Sequence, residues 1–125
     1  MGFTLAVLPI VAGQRNPRLI VPGFLVVWPF IFDTSFTLIR RLARGENISV
    51  AHRSHVYQRL VIAGYSHRFV ALVYMSLALI GSFIALLWYD KAPFVDAVVL
   101  VIPILLFAGL WRFTIRAESR DHSGA

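Results

Sequence analysis

The sequence predicts an all-α membrane protein in which about three helices cross the bilayer after a short apolar segment. Two observations support this fold class. Hydrophobic residues make up 58% of the 125 residues and charged residues only 14%, whereas soluble domains have about 25% charged residues. The hydrophobic residues also lie in long blocks separated by short polar stretches. A chain of this composition cannot cover a water-facing surface, so its apolar blocks are predicted to lie in lipid.

Three apolar blocks are long enough to span a bilayer, which takes about 20 residues at a rise of 1.5 Å each. They are residues 19–39, 69–89 and 94–111. The block at residues 3–12 is too short to span, and we expect it to be part of a segment that begins further upstream. Prolines lie inside several blocks. They predict kinks and not helix ends, because neighbouring helices can satisfy the freed carbonyl groups.

Basic residues are concentrated in two polar stretches, residues 40–68 and the tail after residue 111. The positive-inside rule places both in the cytoplasm and the short turn at residues 90–93 outside. Arg15 and Arg18 fall on the outer side and do not follow the rule. The net charge of +6 would indicate nucleic acid in a soluble protein. Between apolar blocks it indicates membrane lipid and an anionic ligand instead, and no nucleic-acid partner is predicted.

Asp33 is the only charged residue in the first full span. A carboxylate at that depth costs about 2.5–3.5 kcal/mol on insertion scales, so a basic partner or a polar cavity is expected. Helical spacing places Asp33, Thr37 and Arg40 on one face. Two interpretations stay open. Asp33 forms a structural pair with an arginine near the interface, or it supports a functional site together with Arg40 and Arg41.

Residues 51–60, with the sequence AHRSHVYQRL, lie in the first basic stretch. If helical, they place His52, His55 and Arg59 on one face. Arginine offers a fixed set of donors to phosphate oxygens, and histidine donates or titrates near neutral pH. We therefore predict that His52, Arg53, His55 and Arg59 bind a substrate phosphate.

Two other interpretations of this stretch remain. His52 and His55 have the spacing of a zinc-ligand pair, but the chain has no cysteine and no third ligand at a recognisable spacing. The stretch is also compatible with a solvated basic loop that fixes topology or touches anionic lipid headgroups. Such a loop leaves the two histidines beside Arg53 and Tyr57 unexplained.

The same residues resemble a known family. The segments WPFIFDT, FTLIRR, RGEN and AHRSHVYQRL, which begin at residues 28, 36, 44 and 51, are similar to the C-terminal region of glycosyl transferase family 4. These proteins are the polyprenyl-phosphate N-acetylhexosamine-1-phosphate transferases. The resemblance covers about residues 20–75, where the order and spacing of the segments agree. Within this family, the sequence resembles the initiators of O-antigen and lipopolysaccharide synthesis more than the peptidoglycan transferase.

The resemblance implies a reaction and a place in the cell. A UDP-N-acetylhexosamine gives its sugar 1-phosphate to polyprenyl phosphate in the bacterial inner membrane, for cell-surface polysaccharide synthesis, and UMP is released. The resemblance also implies Mg²⁺, which aspartates on earlier cytoplasmic loops hold. His52, Arg53 and His55 match the family's histidine-bearing loop at the same site.

The acidic residues of this chain include no adjacent pair. We therefore expect residues 1–125 to be the C-terminal part of a polytopic transferase domain, with residues 40–68 as its cytoplasmic loop. No catalytic residue or metal ligand is assigned to this chain, and the remaining part of the enzyme is an expected partner. The alternative is a small non-catalytic membrane protein or remnant that keeps the fold of this region. A transporter component is a third hypothesis, which depends on Asp33 alone.

Overall fold

A computed structural model describes residues 2–47, 54–90 and 95–123, and every regular element in these ranges is helical. A short 3₁₀ turn, Pro17–Leu19, precedes the second of the five α-helices. The helices in chain order are α1 Gly2–Arg15, α2 Ile20–Ala43, α3 Val56–Ile62, α4 His67–Tyr89 and α5 Val95–Ser123. The predicted all-α fold is confirmed.

Three segments are long and apolar enough to cross a membrane, and they contain α2, α4 and most of α5. Their bounds are Pro17–Ala43, His67–Tyr89 and Asp96–Ser119. The outward faces of these helices are apolar, with Leu72, Leu79, Phe83, Leu100 and Leu105 all more than half exposed. Leucine and phenylalanine in such numbers on an outer surface suit contact with lipid. The prediction of three membrane-crossing helices is therefore confirmed.

Helix α5 extends beyond the end predicted from hydropathy. Hydropathy predicts that the third span ends at residue 111 and that a polar tail follows, whereas α5 continues to Ser123. Residues 112–123 contain no proline or glycine, so nothing in the backbone stops the helix. Thr114 and Ala117 are buried there, which shows that this extension packs against the protein.

Helix α2 also continues past its predicted end and stops at a glycine. Gly45 has a φ of 68°, the left-handed conformation that glycine adopts without a steric penalty. The Gly45 amide donates to the carbonyl of Leu42 at 3.0 Å, and the Glu46 amide donates to the carbonyl of Arg41 at 3.0 Å. This pattern is a Schellman motif, and it turns the chain away from the helix axis immediately after α2.

Helix α3 lies within the stretch that was predicted to be a cytoplasmic loop. It has seven residues, and its Val56 and Leu60 side chains are fully buried. They belong to a core cluster that includes Trp28 of α2, Tyr74 of α4 and Phe107 of α5. Helix α3 thus packs against all three long helices.

Helices α2 and α4 are in close contact around Trp28. The Trp28 indole Nε1 donates to the carbonyl oxygen of Leu77 at 3.1 Å, and this bond is buried. One turn along α4, a Cβ atom on Gly81 would collide with the Leu25 carbonyl oxygen and the Trp28 ring. Because a backbone atom is among the obstacles, a side-chain adjustment alone cannot relieve the clash.

We expect Gly81→Ala to lower the stability of the protein by about 1–3 kcal/mol, the usual cost of overpacking. Thermal unfolding in detergent, followed by circular dichroism, measures the effect. Gly109→Ala is the matched control, because no atom lies within 4 Å of the added Cβ in α5. It should leave the Tm unchanged or slightly raised. Equal Tm values for the two variants would refute the close α2–α4 contact.

Candidate functional site

The Asp33 carboxylate connects α2 to the start of α3. Its side chain is 3% exposed. It accepts hydrogen bonds from the amides of Val56 at 2.8 Å and Tyr57 at 3.3 Å. These are the first two amides of α3, which have no partner within their own helix. Asp33 therefore caps α3 from a neighbouring helix, where its negative charge also favours the positive end of the helix dipole.

Two hydroxyl groups complete the surroundings of this carboxylate. The Tyr74 hydroxyl on α4 donates to Asp33 Oδ2 at 2.7 Å, and the Thr37 hydroxyl one turn along α2 donates to Oδ1 at 3.3 Å. A buried carboxylate with several donors keeps its charge at a much lower cost than an unpaired one. The network joins α2, α3 and α4 at a single buried group.

The partners of Asp33 differ from the arginine expected from the sequence. Among the described residues, no arginine lies within ion-pair distance of Asp33, and its ionisable neighbour is His55, with Nδ1 3.6 Å from Oδ1. Arg40 instead donates to the carbonyl oxygen of Ser54 at 3.3 Å. The contact between Asp33 and Thr37 agrees with the prediction that these two residues lie on one face of the helix. Tyr74 was missed, because a tyrosine in an otherwise apolar span gives no sign of its partner.

His55 is the residue immediately before α3. The described helix begins at Val56, so Ser54 and His55 do not belong to the helix that was considered for residues 52–59. The His55 ring stacks on Tyr57 with centroids 5.8 Å apart and planes at 19°, and its side chain is 33% exposed. The Asp33 carboxylate lies on the Nδ1 side of the ring, with Oδ1 3.6 Å from Nδ1. The structure thus orients His55 and leaves it accessible.

Arg59 of α3 pairs with an acidic residue of α5. Its Nε donates to Glu118 Oε1 at 2.5 Å, and its Nη2 donates to Oε2 of the same carboxylate. The guanidinium carbon of Arg59 also lies 4.5 Å from the centre of the Trp111 ring. Arg40 approaches that ring as well, at 5.1 Å. Glu118 was missed as a partner, because it is 59 residues away and lies in the stretch treated as a tail.

Arg41 pairs within the turn that follows α2. Its Nε lies 3.3 Å from Glu46 Oε2, and its side chain is nearly buried. Its Nη2 donates to the carbonyl oxygen of Asn47. Arg44 is exposed and lies 3.9 Å from the other oxygen of Glu46. Arg41 thus stabilises the turn from which the basic stretch continues.

The structure brings Asp33, His55 and Arg59 to one end of the helix bundle, where Arg40 also lies. His52 and Arg53 are outside the described residues. The predicted contacts between these side chains and a phosphate remain predictions.

Magnesium requires hard oxygen ligands, usually carboxylates, in a compact group. Among the described residues, no group of three or more histidine, aspartate and glutamate side chains could hold a metal ion. Asp33 already accepts four hydrogen bonds. The described residues alone therefore do not fit a magnesium site.

The chain is similar to a protein of Bacillus subtilis (strain 168) described as a probable undecaprenyl-phosphate N-acetylglucosaminyl 1-phosphate transferase. The two sequences are 28% identical over 107 residues, which is 84% of this chain and 30% of the relative. The chain therefore spans less than a third of the relative's length. No family model matches the chain, and no solved structure matches it. The similarity supports the resemblance to polyprenyl-phosphate sugar-phosphate transferases at a general level, and it does not identify the O-antigen branch.

Proposed function

We propose that this chain is the C-terminal part of a membrane transferase that moves an N-acetylhexosamine 1-phosphate from a UDP-sugar to polyprenyl phosphate. The observation that carries the proposal is the similarity to the Bacillus subtilis transferase over 107 residues. The reaction would serve cell-surface polysaccharide synthesis of the O-antigen type. The chain would lie in the inner membrane of a bacterium, with the end that contains α3 facing the cytoplasm, in agreement with the arginine distribution.

The proposed reaction exchanges one phosphoanhydride bond for another. A phosphate oxygen of the polyprenyl phosphate attacks the phosphorus that bears the sugar. The bond to the uridine phosphate breaks, and UMP leaves. Both reactants are anions, so groups that donate to phosphate oxygens favour the approach and stabilise the charge that shifts in the transition state.

His55 is the described residue best placed for this role. His55 lies beside Asp33, at the end of the helix bundle that we propose faces the cytoplasm, and a third of its side chain is exposed. We propose that His55 donates to a phosphate oxygen, together with His52 and Arg53 outside the described residues. Asp33 would hold the imidazole in place.

Mg²⁺ belongs to the proposal as a group held by residues outside this chain. When bound, it would neutralise phosphate charge. The alternative hypothesis, a non-catalytic membrane protein, is favoured by one observation, which is that the described residues lack a cluster able to hold the metal.

Transfer of sugar 1-phosphate in isolated membranes tests the proposal. Membranes that contain a longer chain carrying this segment should form polyprenyl-diphosphate sugar from a UDP-N-acetylhexosamine, whereas membranes with residues 1–125 alone should form none. Equal accumulation of both chains is verified by immunoblot. Product from residues 1–125 alone would contradict the need for further ligands. No product from the longer chain would favour the non-catalytic alternative.

A further inference from the structure

Arg59 offers few free donors to a ligand, because its guanidinium group is already engaged. Two of its three nitrogens donate to the two oxygens of Glu118. The third, Nη1, is buried and has no acceptor, and the side chain is only 18% exposed. A phosphate could reach Nε or Nη2 only by displacing Glu118, and it could reach Nη1 only if the surrounding packing opened. The geometry therefore argues against the direct phosphate contact that the sequence predicts for Arg59.

Trp111 holds the same guanidinium group from a second direction. The ring contacts Arg59 of α3 and Arg40 of α2, with the guanidinium carbons 4.5 and 5.1 Å from its centre. The Phe36 ring packs against the Trp111 ring in an edge-to-face arrangement, with the ring centroids 4.7 Å apart. Trp111 and Glu118 are seven residues apart on α5, which is about two turns and thus the same face. This face of α5 therefore joins the arginines of α2 and α3.

A helix of seven residues is not stable alone in water, so the position of α3 depends on its contacts. Asp33 fixes its first amides, and Glu118 and Trp111 hold Arg59 near its other end. His55 immediately precedes this helix. Any shift of α3 would move the imidazole by a similar distance, and misplacement by about 1 Å can slow a reaction on the order of a hundredfold.

We infer that Glu118 and Trp111 are positioning residues that hold α3 through Arg59, and that Arg59 acts through them and not on the substrate phosphate. The activity part of this inference rests on the proposed function, whereas the pairing itself does not. The part of α5 that follows residue 111 would thus help to place His55.

Exchange of the two charges tests the inference. Glu118→Gln and Arg59→Gln should each lower kcat on the order of ten- to a hundredfold in membranes that contain the longer chain, with little change in KM. The double variant Arg59→Glu with Glu118→Arg restores the ion pair with reversed polarity, and we expect it to recover most of the rate. Arg116→Gln is the control, because Arg116 is exposed on the same helix and should keep the parental rate.

Thermal unfolding tests the pairing of Arg59 with Glu118 without an activity assay. In detergent, each single variant should have a lower Tm, and the exchanged pair should return towards the parental value. If the exchanged pair regains Tm but not rate, Arg59 contacts the substrate and the positioning role is overturned. If the single variants keep the parental Tm and rate, the pairing has no role. If the parental longer chain forms no product, the proposed function fails, while the Tm comparison still decides whether the pair exists.

Discussion

Replacement of Asp33 by alanine is expected to release α3 from the bundle and to lower transfer activity at least a hundredfold in a complete enzyme. The substitution removes the acceptor for two backbone amides and two hydroxyl groups. Buried donors without an acceptor cost about 1–3 kcal/mol each, so we expect a loss of about 3 kcal/mol or more. Hydrogen exchange of the Val56 and Tyr57 amides measures the release of α3 directly, and thermal unfolding in detergent measures the stability.

Single-donor variants provide the controls for Asp33. Thr37→Val removes the hydroxyl that donates at 3.3 Å, and Tyr74→Phe removes the one that donates at 2.7 Å. Each leaves the carboxylate and both α3 amides paired, so each should cost only about 0.5–1.5 kcal/mol. The loss of stability in Asp33→Asn should lie between the losses in these two variants and in Asp33→Ala. The amide keeps one acceptor oxygen but adds donors that have no acceptor. Full exchange protection of the α3 amides in Asp33→Ala would show that the cap is not what holds this helix.

The long helices could be predicted from the sequence because hydropathy reports directly on the environment of a span. Residues 69–89 agree with α4 within two residues. The ends of α2 and α5 were missed, since a helix continues past the lipid boundary wherever its residues favour it and nothing breaks it. At Gly45 the stop is a left-handed glycine, which does have a sequence signal. At the end of the third span there is no comparable signal after Trp111.

The candidate site was predictable only in part. Asp33 and His55 could be selected because a carboxylate in a span and a histidine pair in a basic stretch are uncommon. Their mutual position was not predictable, since it depends on how the chain after α2 folds back. The same holds for Tyr74 and Glu118, which lie 41 and 59 residues from their partners. Side chains that meet across such separations leave no periodic pattern in a single sequence.

Replacement of His52 or His55 by alanine should slow sugar 1-phosphate transfer by roughly ten- to a hundredfold or more in a complete enzyme. A charge-assisted contact contributes about 1.5–3 kcal/mol, and each 1.36 kcal/mol of transition-state stabilisation is about tenfold in rate. The rate is measured in membranes that contain the longer chain, at matched protein levels. His55 is the described member of this pair, and it is accessible beside Asp33.

Two comparisons separate a phosphate contact from other causes of a lower rate. Arg44→Ala removes a full positive charge from an exposed position in the same basic stretch, yet it should have little effect. If the basic stretch only fixes topology, Arg44→Ala should lower the rate and the histidine variants should keep the parental rate, because a histidine adds little positive charge at neutral pH. In His55→Ala, the α3 amides keep their acceptor on Asp33, so their exchange protection should persist while the rate falls. A low rate together with lost protection would mean that His55 maintains the fold of α3, and parental rates in both histidine variants would exclude the phosphate contact.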